Sequence, residues 1–278
     1  MTIHHAAQHG YEKESAAYQR GRPDYPDALM DWLRQDLGLR PGTHALDLGA
    51  GTGKFTRLLT RTGASLTAVE PVAEMREQIG RHAEGVLALA GTAEAIPLPD
   101  ALPATHASPA SPTSSGAGAT PETGLDVVVC AQAFHWFANA QALREIHRVL
   151  RPGGRLGLVW NVRDESVDWV AATTAIITPY EGDAPRYYKG DWRQPFEAQP
   201  LFSPLVRASF PHQHVGSFEQ VVIDRFMSVS FIASLPEAEK QSVATRLWAL
   251  RDRFPALQAE TVAYPYLTEA WRTERLTP

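Results

Sequence analysis

A strand-like run, Thr43 to Leu48, delivers the chain straight into Gly49-Ala50-Gly51-Thr52-Gly53. A helical pattern with Phe55, Leu58 and Leu59 on one face begins at once. Few features narrow the possible folds as sharply. Glycines let the backbone turn tightly and approach a ligand where a Cβ would intrude. Strand, tight turn and helix form the first part of a βαβ unit, and the remainder follows in order. Gly63 ends the helix, Ser65 to Glu70 reads as a second strand, and Val72, Met75 and Ile79 stripe a second helix. Gly85 to Ala90 reads as a third strand. Parallel strands joined through helices need right-handed crossovers, which predicts a doubly wound sheet.

The same alternation extends to both sides. Leu29, Trp32, Leu33 and Leu37 fall at helical spacing, and Gly38 and Pro41-Gly42 stop that helix. Leu125 to Cys130 is a continuous apolar run, as a central parallel strand should be. Leu143, Ile146, Val149 and Leu150 mark a helix ended by Pro152-Gly153-Gly154, and Arg155 to Asn161 is a fifth strand. Helical stretches follow near 166–178, 217–226 and 234–252, with strand-like runs near 204–210 and 260–268. The expected fold is α/β: a Rossmann-like, seven-stranded, mostly parallel sheet with helices on both faces and a helical cap. We read 1–278 as a single domain. Residues 1–40 form an N-terminal lid and first helix, 41–161 a cofactor-binding core, and 162–278 the sheet completion and acceptor cap. Residues 101–124 are rich in Ala, Ser, Thr, Pro and Gly, with Leu102 the one large aliphatic side chain. Such a segment buries too little apolar surface to offset its ordering entropy and reads as a flexible insertion, either a linker or a lid.

Charge and cysteine usage remove several functions. Lys and Arg number 26 against 31 Asp and Glu, a net charge of −5, so nucleic acid is not the expected partner. Cys130 is the sole cysteine, which excludes an intrachain disulfide and multi-cysteine metal clusters and fits a reducing compartment. The start, MTIHHAAQHGYEKES, lacks a secretory pattern, and no apolar run approaches the roughly 18 residues that span a bilayer. A cytoplasmic monomer or homodimer without membrane attachment is expected. His4, His5 and His9 fall in an expected mobile tail, the pair His212 and His214 has no carboxylate beside it, and no metal is expected.

The glycine turn also discriminates between ligands. A dinucleotide fingerprint wants its third glycine three residues after the second, a position held here by Lys54. Instead the third glycine is Gly53, and an acid, Asp47, precedes the first. Glu70 ends the second strand, where a carboxylate can accept two hydrogen bonds from a ribose diol; capping the helix after Pro71 is the other role open to it.

The segments ALDLGAGTGKFTRLL, AVEP, GTAEAIPLPD, AQAFHWF and LRPGGRLGLVWN resemble the class I S-adenosylmethionine-dependent methyltransferases. The nearest likeness is to the UbiE-like and trans-aconitate methyltransferase-like small-molecule branch (methyltransferase type 11). Outside the core, Tyr18, Arg22-Pro23, Tyr25-Pro26, Trp160-Asn161, Arg163-Asp164 and Tyr264-Pro265-Tyr266 are similar too, so that only 101–124 has no counterpart. The resemblance implies S-adenosyl-L-methionine as cofactor and a small-molecule acceptor. It further implies Asp47, Gly49, Ala50, Gly51 and Gly53 around the methionyl part, Glu70 on the ribose, and Pro71 and Met75 near the adenine. Thr92, Ala93 and Glu94 would occupy the adenine edge, with Thr92 standing where the family often has Asp. Ala131 and Gln132 would lie beneath the sulfonium, and Tyr18 and Arg22 would close over the carboxylate.

Methyl transfer is an in-line displacement at an activated carbon, so alignment and water exclusion dominate. A base is needed only when the acceptor arrives protonated. His135, with an ordinary pKa of about 6.5, could be that base or could simply order its loop. Trp136, Trp160 and Tyr266 could wall an acceptor pocket or pack the core. Arg163 could pair with an acidic acceptor, or with Asp164 or Glu165. Oxygen is the expected methylated atom. A non-catalytic cofactor-binding protein and, behind it, a nicotinamide-dependent oxidoreductase are the alternatives.

Overall fold

The computed structural model describes residues 21–101 and 124–277. Tyr18, the N-terminal histidines and nearly all of the 101–124 insertion lie outside the described residues. Seven strands are present among the described residues: β1 His44–Leu48, β2 Ser65–Val69, β3 Leu87–Leu89, β4 Leu125–Ala131, β5 Leu150–Arg163, β6 Val206–Gly216 and β7 Val262–Glu274. Their order is β3-β2-β1-β4-β5-β7-β6, and the pairs β1/β2, β1/β4, β2/β3 and β4/β5 are parallel. The expected doubly wound sheet is therefore the observed one. Chain order runs outward from β1 through β2 to β3, then returns to β4 on the other side of β1. That reversal opens a crevice beyond the carboxyl ends of β1 and β4, the place where such sheets bind ligands.

The main helices are α1 Ala28–Gln35, α2 Lys54–Thr60, α3 Ala73–His82, α4 Ala140–Val149 and α5 Asp168–Ile177. In α4 the buried residues are Ala142, Leu143, Ile146 and Val149, and the Asn139 side chain accepts from the Gln141 and Ala142 N–H groups at its start. A cap of this kind is worth about 1 kcal/mol. On α2, Thr56 is buried and Leu58 is only partly so, because the threonine hydroxyl has a partner inside.

Several boundaries differ from expectation, two of them within the core sheet. β3 is shorter than Gly85 to Ala90. β5 begins at Leu150 and runs through Pro152-Gly153-Gly154, which the sequence pattern assigns to a break. While β4 advances from Leu125 to Val127, β5 advances from Leu150 to Arg155. The surplus residues form a bulge with Gly153 at φ +70°, which accommodates a proline that cannot donate to the ladder.

The chain divides into two compact units. The core unit comprises 27–101, 124–160, 185–209 and 269–277; the second comprises 21–26, 161–184 and 210–268. The second unit has its own apolar centre, including Trp169, Val170, Val222, Phe226, Ile232, Val243, Leu247 and Tyr264.

Candidate functional site

The glycine turn of the core unit is left-handed three times in five residues, with φ of +73° at Gly49, +57° at Gly51 and +84° at Gly53. Gly49 is also required by space, since a Cβ there would lie 2.8 Å from the Ala133 Cβ. At Gly51 no described atom lies within 4 Å of such a Cβ, so its backbone borders open space. The turn is pinned from below: Gly49 N and Ala50 N donate to Val69 O at 2.9 and 3.2 Å.

Glu70 joins this turn to the next one. Its Oε2 accepts from Gly51 N at 2.9 Å and its Oε1 from Val72 N at 3.0 Å, while Arg76 donates to its main-chain carbonyl at 2.8 Å. Burial pushes the Glu70 carboxyl upward in pKa, and the Val72 and Gly51 N–H groups and the Arg76 charge oppose that push. Each carboxylate oxygen retains a further lone pair for a hydroxyl.

Asp47 lies deepest. It is fully buried, and Thr56 Oγ1 donates to its Oδ2 at 2.6 Å. Its Oδ1 is buried with no hydrogen-bond partner. Burial raises its pKa to about 7; the Thr56 hydrogen bond works against the shift and the Glu70 charge adds to it. An orphaned buried acceptor costs on the order of 1–3 kcal/mol, so this oxygen suits a ligand that brings a donor or a positive charge. These features fit the cofactor implied by the sequence: an acidic floor for the ammonium of an amino acid, an open glycine edge and a carboxylate for a diol.

The remaining candidates of the core unit surround the same loops. Pro71 carries a carbonyl held by Arg76 at 3.3 Å, and Met75 is buried on α3. Thr92 bridges to Ala95, Ala93 is buried, and Glu94 accepts from Asn139 at 3.0 Å, which ties the segment to the start of α4. Ala131 ends β4, and Gln132 follows with φ +59°. Among the described residues Gln132 is the sole non-glycine at positive φ, a conformation costing on the order of 1 kcal/mol and concentrated at working sites.

His135 is the middle residue of a short 3-10 turn, Phe134–Trp136. The Trp160 indole N–H donates to His135 Nδ1 at 3.1 Å. Because an indole nitrogen only donates, the neutral imidazole carries its proton on Nε2 and has already committed its lone pair. That arrangement suits a ring that orders the loop better than one that collects a proton. Trp136 stacks obliquely on it, with centroids 5.1 Å apart. Trp160 is 1% exposed and packs on Tyr187 and Trp192 at 4.7 and 4.8 Å. Trp271 extends this cluster by donating to the Tyr187 hydroxyl at 3.1 Å. Tyr187 and Trp271 were not singled out from sequence, although the aromatic density of 187–192 was a usable signal.

Arg22, Arg163 and Tyr266 belong to the second unit. Arg22 Nη2 donates to Ser228 O at 3.0 Å. The Arg163 side chain is 9% exposed, with its guanidinium 5.2 Å above the Phe226 ring and its Nε 4.0 Å from Glu165. Tyr266 is buried and accepts from Arg225 Nε at 3.2 Å. Sequence reading missed Arg225, which carries no motif. Among the described residues no helix is long and apolar enough to cross a membrane.

A family model described as a methyltransferase domain matches residues 18–215. A methyltransferase-like protein of Schizosaccharomyces pombe, named as uncharacterized, is 34% identical over 267 residues, covering 95% of each chain. An uncharacterized methyltransferase of Mycobacterium tuberculosis is 35% identical over 255 residues, 91% of this chain and 90% of its own. Among solved structures, the YcgJ protein of Bacillus subtilis covers 91% of this chain and 100% of its own, with TM-score 0.53 and 20% identity, a likeness of fold.

Proposed function

The chain belongs to the class I S-adenosylmethionine-dependent methyltransferases, and from that premise we propose that it methylates an oxygen of a small organic acid. The observation that carries the acceptor reading is the Trp160–His135 hydrogen bond. With the imidazole lone pair committed, an acceptor that arrives already ionised is favoured over a phenol or an amine. A carboxylate has a nucleophilic oxygen at neutral pH and needs no base. Bound S-adenosylmethionine supplies a methyl group already activated on a sulfonium.

The protein's part is to bind, orient and exclude water. In this reading Asp47 receives the ammonium of the amino-acid end, with its Oδ1 as the acceptor. Gly49, Ala50, Gly51 and Gly53 let the backbone come close, and Glu70 takes the ribose hydroxyls. Pro71, Met75, Thr92, Ala93 and Glu94 border the adenine, while Ala131 and Gln132 line the reacting end. His135 is a positioning residue, held by Trp160 and flanked by Trp136.

Incubation with methyl-labelled cofactor and a panel of small mono-, di- and tricarboxylic acids tests the proposal. The expected product releases its label as methanol in mild alkali, as methyl esters do. Label that stays on a phenol, amine or carbon acceptor through alkali overturns the oxygen assignment while leaving the family intact.

A further inference from the structure

A buried charge without a counter-charge costs several kcal/mol, so an interior that retains one calls for a partner to satisfy it. The second unit holds such charges. Arg225 is 8% exposed; its Nε reaches the Tyr266 hydroxyl, but its Nη1 is buried with no hydrogen-bond partner. The Arg163 side chain is 9% exposed, and its Nε is likewise buried without a hydrogen bond. The nearest acid to Arg163, Glu165, stands 4.0 Å away and is half exposed. No carboxylate among the described residues pairs with Arg225. Burial drives the Arg225 pKa down to about 10; Tyr266 opposes that shift, and the charges of Arg22 and Arg163 add to it.

A second, independent feature marks the same place. Glu219–Asp224 is a π-helical turn that leads directly into Arg225. Such turns are uncommon and concentrate at functional sites, where they re-aim a side chain.

We propose that Arg225 and Arg163, with Arg22 beside them, form an anion site that takes the carboxylate of a small organic acid. Two orphaned donors on planar forks match the two coplanar oxygens of a carboxylate, whereas a tetrahedral phosphate would want more. The idea rests on the proposed methyl-transfer reading only for its purpose, since the anion is then the acceptor acid.

The test uses the full chain and its Arg225→Gln and Arg163→Gln variants, titrated with citrate, succinate and inorganic phosphate in saturating S-adenosylhomocysteine. Wild type should gain melting temperature with the carboxylates and not with phosphate. Each variant should lose at least tenfold in carboxylate affinity. Its ligand-free melting temperature should hold or rise, because an unneutralised buried charge has gone; a purely structural arginine would lower it. If the variants instead weaken S-adenosylhomocysteine but not methylthioadenosine, which lacks the amino acid, the arginines serve the cofactor and the proposal is overturned. Should a variant fail to fold, the wild type alone decides. Equal response to phosphate, or no carboxylate response, overturns the proposal. Failure of both nucleosides to bind wild type counts instead against the cofactor reading, while the citrate titration still judges the anion site.

Discussion

Raising the pH from 6 to 8 should tighten S-adenosylhomocysteine binding about tenfold, and Asp47 is the reason. Its carboxyl is fully buried and its pKa stands at about 7, against an ordinary 3.8. The sign follows from which state holds the proton. Between about pH 4 and about pH 7 the native protein keeps a proton that the unfolded chain has released. Asp47 therefore contributes most stability below about pH 4, and that contribution falls by roughly 4 kcal/mol as pH rises to about 7. A positively charged ligand group reverses the balance, because it favours the ionised carboxylate and supplies the partner that Oδ1 lacks. Binding then requires loss of the proton, and the apparent dissociation constant scales as one plus the ratio of protonated to ionised Asp47. That ratio is about ten at pH 6 and about one-tenth at pH 8. Calorimetric titration in buffers of different ionisation enthalpy reads both the affinity and the proton released, close to one per binding event near pH 6. Asp47→Asn should abolish the pH dependence, weaken binding and stabilise the ligand-free protein at pH 8. A flat affinity between pH 5.5 and 7.5, with no proton release, refutes the reasoning, since it places Asp47 either ionised throughout or away from the ligand.

Glu70→Ala removes an acceptor from Gly51 N and Val72 N as well as the diol's partner. It should weaken S-adenosylhomocysteine by about 1.5–3 kcal/mol, the usual worth of charged hydrogen bonds, and wild-type affinity in calorimetry would take Glu70 out of the site. His135→Gln should lower kcat by less than about tenfold and leave the pH profile in place, because a positioning residue gives up no proton transfer. A loss in the range of about 10²–10⁴ with a missing limb in the profile would restore the base.

The features legible from sequence are those written locally. β1, the glycine turn and α2 are contiguous, and β4 is buried on both faces, so its run from Val127 to Cys130 admits no other reading. β6 gave a weaker signal. Its residues alternate between exposed and half-buried, and Arg207, Pro211, His212 and His214 supply no apolar stripe, so the expected end at 210 fell short of Gly216. β5 was read from Arg155 because proline and paired glycines ordinarily stop a strand, and the bulge that absorbs them depends on pairing with β4. The strain at Gln132 has no sequence signature either, since glutamine carries no preference for φ +59°.

The same distinction separates the two sets of site residues. A ligand held through main-chain N–H groups and glycine φ angles needs consecutive residues, because one turn of backbone makes the contact. Gly49 to Gly53 with Asp47 and Glu70 is therefore a motif that a reader can find. A buried cation cluster obeys no such rule. Arg22, Arg163 and Arg225 are far apart in sequence; the first two stand in stretches that resemble the family, and Arg225 carries no motif at all. Only folding reveals that two of them are buried and that donors on both are left over. It follows that the cofactor side of such a protein can be read from one chain, while acceptor recognition has to be sought in unsatisfied polar atoms. Here those atoms are the Nε of Arg163 and the Nη1 of Arg225, and the acid that satisfies them is the one to identify.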